Sequence, residues 1–359
     1  MKLRYSILLV SIAIFLIGTI AASSAAKAPA KKVNAKPKTA TKLGAIGTAQ
    51  LPGEWCEFGK AYTLGNKKDG NAINLTLKSA EYTIEQINIA NRTFWPKIGE
   101  KLLVLHYTLH NPLPKEQRVD FTTISWTAVD AKSENKNQEY RGGAVDDKNQ
   151  NLFDQTLKPA QKIDVFTIIR VDAYGPVPKL MAALRGVPSP VARYDMAGKI
   201  KPLTAPYADP SDKTGATMAK VIPGVIGTSY ITGAYVTKIE KVEFINPPFD
   251  NEGYKKDEVY VVVTIECTNM ENGGGYGGSQ APTSGMKLKD VDEITYTWLN
   301  RPMPPSSTRR FDPRAEKGET FKFRLPFSVP KGIGLKSLTV KEWSGNLVEI
   351  DLSAYKTPQ

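Results

Sequence analysis

The chain has 359 residues, with 48 Lys plus Arg against 36 Asp plus Glu and a formal net charge of +12. That length suits two domains better than one small one. An apolar content of 41% supports a packed core and argues against disorder along the whole chain, while 25 Pro and 28 Gly argue against long helices.

Lys2 and Arg4 precede an apolar run from Ile7 to Ile20, and small residues follow from Ala21 to Ala26. A positive start, a short apolar run and a small-residue exit read as a secretory signal peptide over residues 1–26, cleaved after Ala25 or Ala26. The run is shorter than the roughly 20 residues of a membrane span, so no stable span is expected after cleavage. An uncleaved signal retained as an anchor is the alternative. No Cys near the exit could carry a lipid. Residues 27–52, rich in Ala, Lys and Pro, read as a disordered linker. The first 50 residues hold eight positive charges and no negative one, which leaves +4 for the rest. Six linker lysines without interleaved Arg or aromatics give only salt-sensitive, non-specific attraction, so nucleic acid is not an expected partner.

The next feature in the chain is self-similarity. Gly59-Lys-Ala-Tyr62-Thr-Leu-Gly65 recurs as Gly227-Thr-Ser-Tyr230-Ile-Thr-Gly233. Residues 100–111 match 258–269, and 163–169 match 321–327, both 158 residues on. Residues 191–196 match 347–352. Tyr140 and Trp298 fall on equivalent positions at the offset of 158. Two domains follow, 53–202 and 222–356, joined by a breaker-rich linker over 203–221.

The repeated segments alternate with period two. Leu103, Leu105, Tyr107 and Leu109 share one face, as do Val261, Val263, Ile265 and Cys267. Such alternation predicts half-buried antiparallel strands. Further strands are expected near 73–82, 122–130, 162–171, 190–196, 235–244, 286–290, 294–299, 320–328, 336–343 and 346–352. The pattern is all-β: two tandem immunoglobulin-like antiparallel β-sandwiches behind the signal peptide and linker. Each copy has a strand ending in Asn (Asn111, Asn269) and then a turn into a later apolar strand. In this each resembles the secreted immunoglobulin-like domains of the domain-of-unknown-function 4352 type. Their Pro-Gly turn is half kept in Pro159-Ala160 and half in Lys317-Gly318. The resemblance implies an extracellular, non-catalytic module.

Chemistry-bearing constellations are sparse. The only histidines, His106 and His110, share a strand face roughly 13 Å apart, too far for one metal ion. Cys56 and Cys267 fall one per domain at non-equivalent positions, which excludes an intradomain disulfide. Gly273-Gly-Gly-Tyr276-Gly-Gly278 matches a dinucleotide fingerprint but lacks the following helix. Asp147, Asn149 and Asn151, with Asp146 and Asp154, begin like a calcium loop. The sixth-position Gly is missing, and Lys158 stands where the bidentate Glu belongs. No cofactor, metal or catalytic residue is therefore assigned. Asp195 and Asp351 are repeat equivalents, which suggests structure rather than a hydrolytic carboxylate pair.

Trp126 alternates with Ile124 and Ala128 and is expected in the core; the repeat also favours a structural role for Tyr140 and Trp298. Trp95 and Tyr276 fall in loops and are the candidate ligand contacts. Protruding loops near 133–155 and 271–285 are the expected contact regions. The resulting expectation is a secreted or cell-envelope, non-enzymatic binding or scaffolding module. Its partner would be an extracellular protein or a cell-envelope polysaccharide. The alternatives are a carbohydrate- or cell-wall-binding module and a carboxylate-based hydrolase.

Overall fold

Period-two alternation sets the architecture, because each strand buries one row of side chains and leaves the other to solvent. The computed structural model describes residues 55–359 except 147–149, 188–189, 246–255, 272–278, 281–282, 284, 300–301, 313 and 342–345; for 279–280 the backbone alone is described. The expected signal peptide and linker, Trp343 and the glycine run holding Tyr276 lie outside the described residues. All regular structure among the described residues is β, in agreement with the all-β expectation.

The N-terminal half comprises β1 (Tyr62–Leu64), β2 (Ile73–Thr83), β3 (Ile87–Ile89), β4 (Arg92–Phe94), β5 (Glu100–His110), β6 (Gln117–Asp120), β7 (Ile124–Val129), β8 (Asn135–Val145), β9 (Asp154–Leu157), β10 (Lys162–Asp172), β11 (Lys179–Leu184), β12 (Ala192–Asp195) and β13 (Ile200–Lys201). The strand order β1-β2-β5-β10-β8-β7-β11-β12 makes one sheet that folds over on itself. β8 is the corner, pairing β7 through Asn135–Asn137 and β10 through Gly143–Val145. Leu103, Leu105, Tyr107 and Leu109 of β5 are buried in the core with Trp126 of β7, Leu180 of β11 and Tyr194 of β12. The Trp126 and Tyr107 rings meet edge to face at 5.1 Å.

The C-terminal half comprises β14 (Ile222–Gly224), β15 (Ser229–Ile231), β16 (Tyr235–Ile245), β17 (Glu258–Asn269), β18 (Ser279–Gln280), β19 (Lys287–Asp290), β20 (Thr295–Thr297), β21 (Arg314–Ala315), β22 (Thr320–Pro330), β23 (Leu335–Val340) and β24 (Val348–Asp351). Its sheets are β15-β16-β17-β22 and β14-β24-β23-β19-β20. Val261, Val263, Ile265 and Cys267 form its buried row.

The same local devices close strands in both halves. Asn111 is fully buried; its Nδ2 donates to the carbonyls of Lys115 (2.8 Å) and Leu157 (3.0 Å), and its Oδ1 accepts from Leu113 N (2.9 Å). Asn269, also fully buried, donates to Ala315 O (2.9 Å) and accepts from Glu271 N (3.0 Å). Asn111 O accepts from Ala160 N at 3.0 Å and Asn269 O from Gly318 N at 2.6 Å. Both of these turn residues are left-handed, at φ 61° and 79°. Tyr62 and Tyr230 each accept at their hydroxyl from a backbone N–H five residues earlier, at 2.8 and 2.7 Å.

Two features differ from expectation, and a third carries no signal in the sequence. First, Asn135–Val145, which the sequence places within a protruding loop, is an eleven-residue strand. Its polar residues and two glycines hide any alternation, and neighbours on both sides supply its pairing. A Cβ on Gly143 would come within 3.1 Å of the Phe121 Cβ, so this stretch must stay slim to pack. Second, Trp298 bridges to Phe327, whereas the residue paired with Ile169, 158 residues before Phe327, is Gln138. The matching Asp130 and Asp290 hairpins lie 160 residues apart, so the offset of 158 puts Tyr140 two residues out of step. Third, Lys101 is fully buried. Its ammonium donates to the carbonyls of Gly175 (2.7 Å), Ala173 (3.3 Å) and Ala216, and lies 4.4 Å from the Tyr82 ring centroid. Burial pushes it down to about 8, opposed by the Asp172 and Asp212 carboxylates. The three carbonyls also favour its charged form.

The segment between the halves contributes buried Leu203, Ala216, Met218 and Ala219 to the packing. Tyr207 OH accepts from Ile231 N (3.2 Å), Gln86 Nε2 donates to Gly233 O, and Lys317 Nζ donates to Asn88 Oδ1 (2.9 Å). The described residues form one compact unit.

Candidate functional site

Alternation along β5 aims His106, Thr108 and His110 away from the core. His106 Nδ1 lies 2.9 Å from Asp146 Oδ2, and its Nε2 lies 3.7 Å from Glu81 Oε1. Glu81 also pairs with Lys201 at 3.0 Å. These groups line a cleft of about 400 Å³ floored by Val104 and Phe166. His110 lies in a different cleft, of about 520 Å³, with its Nδ1 2.9 Å from Asn74 Nδ2. Burial lowers the His110 value, helped by Lys162 and Lys67. In the same cleft Asp164 accepts from Lys78 (2.8 Å) and Thr108 (2.6 Å). Burial works against the Asp164 carboxylate, yet these partners hold its value below the ordinary one. The two histidines therefore serve separate clefts. Among the described residues no three His, Cys, Asp or Glu are grouped to hold a metal ion.

Trp95 lies in a third concavity. The hairpin β3–β4 folds onto the outer face of the first sheet, where Ile89 and Phe94 pack with Leu102, Val104, Phe166 and Ile168 in a second, smaller core. Trp95 follows directly and is half-buried. The groove beside it holds about 320 Å³ and is lined by Arg92, Phe94, Trp95, Glu139, Arg170 and Glu271. The Arg170 guanidinium is fixed by Glu139 (3.2 Å), Glu100 (3.7 Å) and the carbonyl of Trp95 (3.3 Å). Glu271 reaches in from the C-terminal half, and burial raises its carboxyl. Arg92 stands over the Tyr140 ring, 5.8 Å from its centroid. That ring is 66% exposed and meets Phe121 edge to face at 5.6 Å. Tyr140, for which the repeat favours a structural role, packs on Phe121 and Arg92 and also presents its ring to solvent.

The remaining candidates are placed elsewhere or are occupied structurally. Tyr276 lies outside the described residues, as do Asp147 and Asn149 of the expected calcium loop. Asp154 is committed to Arg118 at 2.8 Å and Asp146 to His106. Asp195 and Asp351 sit in different halves, each accepting from a backbone N–H two residues on, at 3.1 and 2.8 Å. Cys56 and Cys267 are buried in different halves and form no disulfide. Trp126 is in the core, as expected.

The chain matches no protein-family model, and no curated protein sequence is similar to it. Among solved structures it is similar to a β-sandwich protein from Clostridium difficile 630, at 13% identity and a TM-score of 0.28, covering 39% of this chain and 91% of that one. It is also similar to a secreted protein from Mycobacterium tuberculosis, at 15% identity and a TM-score of 0.30, covering 37% and 98%.

Proposed function

We propose that the chain is a secreted, non-enzymatic binding module of the cell exterior that contacts its ligand through the Trp95 groove. The groove carries the reading: a half-buried indole lies beside a pre-fixed guanidinium, and Arg92 of the same lining stands over the exposed Tyr140 ring. Rigid sandwiches present ligand contacts in this way, on surfaces whose substitution leaves the core intact. The charged and small apolar residues of the N-terminus support export. In the clefts around His106 and His110 the carboxylates are engaged in ion pairs and hydrogen bonds, Asp146 with His106, Glu81 with Lys201 and Asp164 with Lys78 and Thr108, which favours binding over turnover. We read the two halves as diverged copies of one domain of the domain-of-unknown-function 4352 type, the first copy carrying the contact surface.

The test is association of the labelled mature chain with intact cells of the source organism and with their isolated envelopes. Trp95→Ala should weaken association about 10-fold, as for an interface anchor, with unchanged thermal stability. Equal association by wild type and Trp95→Ala would overturn the reading. So would catalytic turnover abolished by Glu81→Gln or Asp164→Asn.

A further inference from the structure

We propose that the Trp95 groove takes an uncharged glycan, an assignment that rests on the binding-module reading and narrows it to a ligand class. The charges in the groove are balanced: Arg92 and Arg170 against Glu139 and Glu271. A ligand of one net charge would meet fixed charges of the opposite and of the same sign side by side. Sugar hydroxyls both donate and accept, so they pair with guanidinium N–H groups and carboxylate oxygens alike. The Arg170 fork is held by Glu139 at 3.2 Å and by the Trp95 carbonyl at 3.3 Å, so little side-chain freedom is lost when a hydroxyl binds it. Burial draws the Glu271 carboxyl upward, and in either protonation state it can pair with a sugar hydroxyl.

The apolar side of the groove fits the same ligand. A pyranose ring presents a flat face of C–H groups, and the Trp95 indole in the groove offers aromatic surface to cover it; the exposed Tyr140 ring borders the site through Arg92, which stands 5.8 Å from its centroid. The volume of about 320 Å³ is at the small end of the roughly 300–1,000 Å³ of ligand clefts. An added peptide strand fits poorly. β8 and β10, which supply Glu139 and Arg170, already pair with each other and leave no open edge between them.

Affinity electrophoresis of the full mature chain tests this, in gels containing amylopectin, galactomannan or hydroxyethylcellulose, with polygalacturonate as the acidic control. At least one neutral polymer should retard the wild type. Trp95→Ala should cut the association constant about 10-fold, and Trp95→Phe should restore most of it. Tyr140→Ser, which takes the ring from under Arg92 at a site too exposed to unfold the chain, should cut it about 3-fold. Retardation should persist from about 50 to about 500 mM NaCl, because no net charge is being neutralised. If Trp95→Ala does not fold, Tyr140→Ser decides. The proposal is overturned if no neutral polymer retards the chain, if only polygalacturonate does so and salt abolishes it, or if the variants run as wild type. Trp95-dependent cell association without glycan retardation would remove the glycan and leave the module; loss of both would remove the module as well.

Discussion

The ladders β2–β5–β10 and β16–β17–β22 hold their chains in matching register and turn different chemistry outward. In the first, Asp164 pairs across from Thr108 and Phe166 from His106; in the second, Lys322 pairs from Glu266 and Arg324 from Thr264. Even the bulge recurs, at Lys78 and at Glu240. The first face opens into the clefts around His106 and His110 and carries the Trp95 groove on its flank. The second is crossed by ion pairs: Lys238–Glu266 at 2.5 Å, Lys322–Glu266 at 3.1 Å and Lys322–Glu240 at 2.6 Å. Hydrogen bonds and the inward rows make the scaffold, so the outward rows can diverge with little effect on it. Features common to both faces are therefore read as framework, and features of one face as candidates for contact.

The largest expected effect tests the shared framework. Asn111→Ala strips four hydrogen bonds from a fully buried site and should cost about 3 kcal/mol. Asn269→Ala strips two and should cost about 2 kcal/mol. Urea unfolding of each variant measures both; a negligible loss at either Asn would break the equivalence.

A difference between the halves comes next. Lys101 corresponds to Val259, buried like it but apolar. Lys101 sits at about 8 in the folded chain against an ordinary 10.5, so between these values the unfolded chain binds more protons. Stability conferred by this group therefore rises with pH across that window. Relative to Lys101→Met, the wild type should gain about 1–2 kcal/mol between about pH 8 and 9.5. Parallel pH profiles of the two proteins would remove the effect.

The smallest effect concerns the matched turns. Ala160 bears a left-handed backbone at φ 61° that costs a side-chain residue about 1 kcal/mol, whereas Gly318 at φ 79° bears it without a Cβ. Ala160→Gly should thus stabilise by a few tenths to about 1 kcal/mol, and Gly318→Ala should destabilise by about 1 kcal/mol. Melting temperatures that move the other way would show that the turns are held differently.

How much of this was legible in the sequence depends on how local the cause is. The buried rows of β5 and β17 follow from residues two apart, and the Asn-ended strands from the repeat itself. β8 was hidden, because its polar side chains carry no alternation and its pairing comes from β7 and β10. Trp95 was legible as an aromatic outside the strand pattern. Its groove was not, since Glu139, Arg170 and Glu271 arrive from three distant segments. His106 likewise finds Asp146 forty residues along the chain. Lys101 resembles any other strand-end lysine until its three carbonyl acceptors are in place.

Those acceptors bear on how the chain can be cut and in what order it matures. Two of them, Ala173 and Gly175, belong to the first half, and the third, Ala216, lies beyond its last strand. A chain emerging from its N-terminus can assemble the first sheets before residue 216 appears, but the ammonium in their interior then lacks one carbonyl. The first half is completed by a residue it does not contain. A fragment ending near 202 would carry a partly unsatisfied cation in its core, while one ending near 220 would carry the full set.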